Sequence, residues 1–126
     1  MKDSLGIFIT FDGNCVDALK FYGDIFTVLP EQVAKYPDFD DKIMFSQLTI
    51  GGTNVMLCDT PPDVDFIPGN NIVMNYANGD FDQLRHVFDG LKNGGEVRME
   101  LQEMFFSPLY GMVKDKFGIY WNILAQ

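Results

Sequence analysis

Few side chains in this sequence are equipped for covalent or acid–base chemistry. His86 is the only histidine, and Cys15 and Cys58 are the only cysteines. One imidazole makes neither the His clusters that transition metals favour nor a triad, and its offset from Leu84, Val87, Phe88 and Leu91 turns it toward solvent. A nucleophilic thiol needs a nearby base or cation to lower its pKa. The run around Cys58 holds no Lys or Arg, which favours a packed, inert thiol. Cys15 stands at a helix start, where the dipole lowers a thiol pKa, but its place after Gly13-Asn14 fits a structural entry to the helix. Most carboxylates fall in turns, as Asp38, Asp40, Asp41, Asp63, Asp65 and Asp80 do. Glu100 and Glu103 instead flank a strand near Phe105 and Phe106, where one of them is a candidate general base.

Two similar runs of elements carry these residues. Leu5–Phe11, β-branched and aromatic, predicts a strand. Asp12-Gly13-Asn14 predicts a turn in which Asp12 or Asn14 caps the helix after it. Ala18, Leu19, Tyr22, Ile25 and Phe26 recur at helical spacing over Cys15–Phe26, and Pro30 ends any continuation. Next come a weak strand at Gln32–Lys35, a turn through Tyr36–Asp41, and strands over Ile43–Ile50 and Thr53–Cys58 joined at Gly51-Gly52. After a loop from Pro61-Pro62 to Gly69 the order repeats. A strand spans Asn71–Ala77, a turn Asn78-Gly79-Asp80, and a helix Phe81–Lys92 with Phe81, Leu84, Val87, Phe88 and Leu91 on one face. Asn93-Gly94-Gly95 stops that helix. Strands over Glu96–Leu101, Tyr110–Lys114 and Ile119–Ile123 come next, with Asp115–Gly118 as a hairpin turn. The order β-α-β-β-β, twice, predicts a single α+β domain over the whole chain, with modules of about residues 5–60 and 70–124.

At 126 residues, 47% of them hydrophobic and twelve of them Phe, the chain can bury a core without disulfides or metal. A net charge of −9 repels phosphate backbones and anionic lipid, which argues against nucleic-acid and membrane-surface roles. No stretch approaches a membrane span. Met1-Lys2-Asp3-Ser4 leads into an apolar run too short for a signal peptide, and the two cysteines lack a CxxC pairing. A soluble, cytoplasmic protein with reduced thiols is expected.

Phe11-Asp12-Gly13-Asn14-Cys15, followed by Ala18-Leu19 and Phe21-Tyr22, resembles the opening of PhnB-like proteins. The ending is similar as well: Gly94-Gly95 with Val97, Phe105-Phe106, Tyr110-Gly111, and Asp115-x-Phe117-Gly118-x-x-Trp121. Where the family more often has Phe-Trp-Gly, this chain has Phe105-Phe106-Ser107. The matches sit at both ends and agree with the repeat between them. The chain thus resembles the PhnB-like branch of the vicinal-oxygen-chelate (glyoxalase/bleomycin-resistance) superfamily. That resemblance implies two βαβββ modules forming a cup-shaped mixed sheet, commonly completed in a homodimer, with or without a divalent metal. Some PhnB-like proteins carry a label as ubiquinone methyltransferases. No glycine-rich loop between a strand and a helix is present here to hold a methyl donor.

Relatives that use a metal take one His or Glu from the first and one from the last strand of each module. Here the resemblance places those positions at or beside Ile7, near Met56 or Leu57, at Asn71 and at Asn122. Two apolar residues and two amides do not make a site for zinc, nickel or iron, so no metal or other cofactor is expected. Strand alternation puts Ile119, Trp121 and Ile123 on one face of the last strand, under a helix, and Tyr120, Asn122 and Leu124 on the other. It likewise separates Ile72, Met74 and Tyr76 from Asn71, Val73 and Asn75. Met56 and Cys58, or else Val55 and Leu57, line the first module's side. A cup lined by Asn71, Asn75, Tyr120, Asn122, Met56 and Cys58 suits a small-molecule ligand held without metal. Two other readings stand beside it. One is a lyase, isomerase or dioxygenase of the superfamily whose metal moved to Asp59, Glu100 or Glu103. The other is a non-catalytic assembly protein.

Overall fold

The computed structural model describes residues 2–126, so Met1 of the leader reading lies outside the described residues. Contacts divide the chain into two compact units, Met1–Ile67 and Pro68–Gln126, and each repeats the order β-α-β-β-β.

In the first unit, β1 (Ile7–Phe11), α1 (Cys15–Phe26), β2 (Glu31–Tyr36), β3 (Phe39–Ile50) and β4 (Thr53–Asp59) build a mixed sheet of order β1-β4-β3-β2. β1 runs parallel to β4, and the other pairs are antiparallel. α1 buries Cys15, Ala18, Leu19, Tyr22 and Ile25, a stripe at helical period that packs on the sheet. Tyr22 meets Phe11 of β1 with ring centroids 6.5 Å apart. The expected cap is corrected: Asn14 stands at the N-cap without a side-chain hydrogen bond. The carboxylate of Asp59, at the end of β4, accepts from the Cys15 N–H at 2.9 Å and from the Ile43 N–H at 2.8 Å. One buried side chain therefore joins the helix start to β3 and β4. β3 also begins earlier than the sequence suggests. Tyr36 pairs with Phe39 across Pro37-Asp38, so the charged run Asp40-Asp41-Lys42 lies in a hairpin strand and not in a turn.

In the second unit, β5 (Met74–Asn78), α2 (Phe81–Lys92), β6 (Glu96–Met104), β7 (Ser107–Lys114) and β8 (Tyr120–Ala125) give the order β5-β8-β7-β6, with β5 parallel to β8. Asp80 caps α2, its side chain accepting from the N–H groups of Asp82 and Gln83. Leu84, Val87, Phe88 and Leu91 are buried, whereas Phe81 in the first turn is exposed. α2 sits so close to β7 that a Cβ built at Gly111 would stand 2.9 Å from both Phe88 and Leu101. Asp115 organises the β7–β8 hairpin. Its side chain accepts from the N–H groups of Phe117 and Ile119, and from the Trp121 indole N–H at 2.9 Å.

Strand limits also moved at β5. Its first pair is Met74 with Trp121, so Asn71 and Ile72 precede the strand, and Ile72 is 81% exposed instead of facing a helix. β7 begins at Ser107, three residues earlier than expected. Pro108 is tolerated there because a proline at a strand start removes no needed ladder bond.

Candidate functional site

Each sheet has one face under its helix, and alternation assigns the side chains. In β4, Val55 and Leu57 are buried with Asp59, whose reach to Cys15 identifies the α1 side. Met56 and Cys58 therefore lie on the other face, and of the two alternatives the sequence left open the Met56/Cys58 set is the one turned from α1. Register places Met56 beside Phe8 and Cys58 beside Thr10. Phe8 is exposed and meets Phe45 edge-on at 6.1 Å. Ile7, by contrast, pairs with Val55 and shares the helix side.

In the second unit, Trp121 is 3% exposed and Ile123 fully buried. Tyr120, Asn122 and Leu124 alternate with them and are half-buried. Asn122 sits mid-sheet, with Asn75 beside it on β5 and Met112 on β7. The Tyr110 hydroxyl donates to Asn122 Oδ1 at 3.2 Å. The Tyr110 ring stacks edge-on with Phe106 at 4.9 Å, and Phe106 with Phe105 at 5.1 Å. Lys114 Nζ lies 5.6 Å from the Tyr120 ring centroid, a cation–π distance. The open face of this sheet thus offers an amide pair, two phenols and an aromatic ladder.

Of the six residues expected to line a site, Asn75, Tyr120 and Asn122 come together on that face. Met56 and Cys58 occupy the corresponding face of the first unit, where Cys58 is only 6% exposed. Asn71 is exposed ahead of β5, and the residue beside Asn122 is Asn75. Sequence reasoning passed over Tyr110 and Phe106 as site residues. Counting outward from the Asp115–Gly118 turn pairs Lys114 with Tyr120, Met112 with Asn122 and Tyr110 with Leu124, which would have brought Tyr110 onto the Asn122 face.

Catalytic equipment is sparse. Burial, reinforced by the Asp59 carboxylate, pushes the Cys15 thiol up to about 12, and the same two causes raise Cys58. Neither is poised as a thiolate. His86, Glu100 and Glu103 are exposed on α2 and β6. Both oxygens of Asp59 are taken by backbone N–H groups. The positions the resemblance implied for a metal, at or beside Ile7, near Met56 or Leu57, at Asn71 and at Asn122, hold apolar residues and amides. The open-face residues beside them fit zinc, nickel or iron no better. Phe8 and Met56 supply a ring and a thioether, while Asn75 and Asn122 supply two amides, one already accepting from Tyr110. Among the described residues, no three His, Cys, Asp or Glu side chains are grouped to hold a metal. Nor, among the described residues, is any helix long and apolar enough to cross a membrane. The strand–helix connections, Asp12-Gly13-Asn14 and Gly79-Asp80, hold one glycine each, and Gly13 O accepts from Lys42. Neither is a glycine-rich cradle for a methyl donor.

Known proteins are similar to this chain over nearly their whole length. Protein YjdN of Escherichia coli (strain K12) is 25% identical, over 97% of this chain and 96% of its own. A solved protein, PA1353 from Pseudomonas aeruginosa, superposes with a TM-score of 0.88 at 24% identity, covering 99% of this chain and 98% of that one. A PhnB protein from Bacillus cereus gives 0.83 at 21% identity, covering 98% and 100%. The model of the family described as 3-demethylubiquinone-9 3-methyltransferase matches residues 3–124. The chain therefore belongs to that PhnB-like family, with the two-module glyoxalase/bleomycin-resistance fold.

Proposed function

We propose that this protein binds a small molecule, without metal, on a sheet face turned away from its helix, foremost the face of β5–β8 turned away from α2. The observation that carries this reading is the Tyr110–Asn122 hydrogen bond. A half-buried amide and phenol, flanked by Asn75, Tyr120 and Phe106, combine apolar contact with a few directed polar groups, the usual make-up of a ligand site. On the first unit's own open face, Met56 with Phe8 beside it offers a separate apolar surface. A ligand bearing a carbonyl or hydroxyl on an aromatic or alicyclic body suits such a surface. Asn71, exposed ahead of β5, is assigned no contact with it.

The reading includes a homodimer in the cytoplasm, in keeping with one face of each sheet that its own helix leaves free. An enzyme with a displaced metal has less support, because Asp59 is spent on two backbone N–H groups and Glu100 and Glu103 stand in solvent. Methyl transfer, named in the family's description, lacks a cradle for the donor.

A thermal-shift screen of small metabolites, repeated on Asn122→Ala and Tyr110→Phe, tests the proposal. Compounds that stabilise the wild type should lose most of their effect in both variants. Stabilisation that survives both changes removes the sheet face as the site. A screen without hits on a dimeric protein favours the assembly role instead.

A further inference from the structure

A second candidate binding site lies wholly within the first unit and shares no residue with the open sheet faces. Between α1 and the edge strand β2 runs a cavity of about 820 Å³, within the roughly 300–1,000 Å³ range of small-molecule sites. Leu19 and Ile43 are buried at its floor, and Val16, Val28, Leu29 and Val33 form its apolar walls. The shape comes from local backbone choices. α1 ends in a left-handed residue, Thr27 at φ 54, with the Val28 N–H turned back to Gly23 O. A Cβ at Gly23 would stand 2.9 Å from Val28 O, so glycine lets the chain fold back there. β2 then bulges between Glu31 and Ala34, with Gln32 at φ 53, and Val33 joins the cavity wall instead of continuing a regular ladder.

Charge distinguishes this cavity from the rest of the surface. The chain carries 18 acidic and 9 basic side chains, yet the charged residues here are Lys20, Lys35 and Asp24. Lys20 is paired with Asp24 at 3.0 Å, and Lys35 has no ionic partner among the described residues. An apolar trough with one uncompensated ammonium at its side complements a ligand with an apolar chain and a single negative head. We infer that this cavity binds a free anionic amphiphile, with its chain along Leu19, Val33 and Ile43 and its head at Lys35.

The test is calorimetric titration of the full chain with monomeric dodecanoate, with dodecyltrimethylammonium as the cationic counterpart. Dodecanoate should saturate one site per chain, and the cation should bind at least about tenfold more weakly. Lys35→Glu should weaken dodecanoate by about tenfold or more, and Val33→Asp should abolish binding. Both positions are exposed, so each variant should keep the wild-type circular dichroism spectrum. Asn122→Ala, on the other unit, should leave the titration unchanged. Equal binding of the two amphiphiles, or a Lys35→Glu affinity within about twofold of wild type, would overturn the inference. Loss of binding in Asn122→Ala alone would move the amphiphile to the sheet face and overturn it too. If Val33→Asp halves the mass in solution, a second copy covers the cavity and the inference fails. Sedimentation with phosphatidylglycerol vesicles, lost in Lys35→Glu, would make the partner a membrane surface and overturn the free ligand.

Discussion

The carboxylate of Asp59 holds the first backbone N–H of α1, at Cys15, across 44 positions of sequence, at 2.9 Å. Its other oxygen holds the Ile43 N–H. Removing it orphans two buried donors at once. Asp59→Ala should therefore cost about 3–6 kcal/mol, given that hydrogen bonds to charged groups are worth about 1.5–3 kcal/mol each. Asp59→Asn keeps the shape and should cost less. Urea denaturation of both variants decides this, and an alanine variant of near wild-type stability would show that water replaces the carboxylate.

Cys15 links stability to alkaline pH. Its thiol is raised from an ordinary 9.0 to about 12 in the fold, chiefly by burial and then by Asp59. Above pH 9.0 the unfolded chain loses this proton while the folded chain keeps it. The contribution is complete below that pH and drains away as pH climbs toward about 12. The slope approaches about 1.4 kcal/mol per pH unit for one group. The difference in unfolding free energy between wild type and Cys15→Ala, measured through that window, should fall with pH. A flat difference would count against a neutral buried thiol.

Trp121 and Asn122 are sequence neighbours with opposite duties. The indole is buried and donates to Asp115. Trp121→Ala should cost about 3–5 kcal/mol through the cavity it leaves. Asn122→Ala should cost about 1–2 kcal/mol for its half-buried hydrogen bond and should weaken ligands found by the screen. Two denaturation curves and one titration compare them. A larger loss in Asn122→Ala would contradict the packing of β8.

Donor chemistry sets the expected metal content. With Phe8, Met56, Asn75 and Asn122 at the open-face positions, elemental analysis after gentle purification should find under about 0.1 zinc, nickel, manganese or iron per chain. Near-stoichiometric metal would mean a donor set other than these residues.

Phe105 is 98% exposed at the β6–β7 turn, stacked on Phe106. So apolar an exposed tip is a common mark of an interface. Light scattering at micromolar concentration should return twice the mass of one chain, and Phe105→Asp with Phe106→Asp should shift it toward the monomer. A wild-type monomer would contradict the dimer.

Both helices occupy the spans their sequences predict, Cys15–Phe26 and Phe81–Lys92. A repeating apolar stripe and a glycine or proline stop are properties of a dozen neighbouring residues. The opposite facings of Trp121 and Asn122 were equally legible, because alternation along a strand is local. Strand limits were not. Asn71 looks as much like strand as Asn75 does, but β5 exists only where β8 runs beside it, from Met74 onward. Asp59 reads as an ordinary acidic residue before a loop, and its role depends on the start of α1 and on Ile43 arriving at the same point. Tyr110 met Asn122 only through hairpin register. Periodicity is written into consecutive residues, whereas register, capping across the sheet and the company of an amide depend on which distant segments the fold brings together.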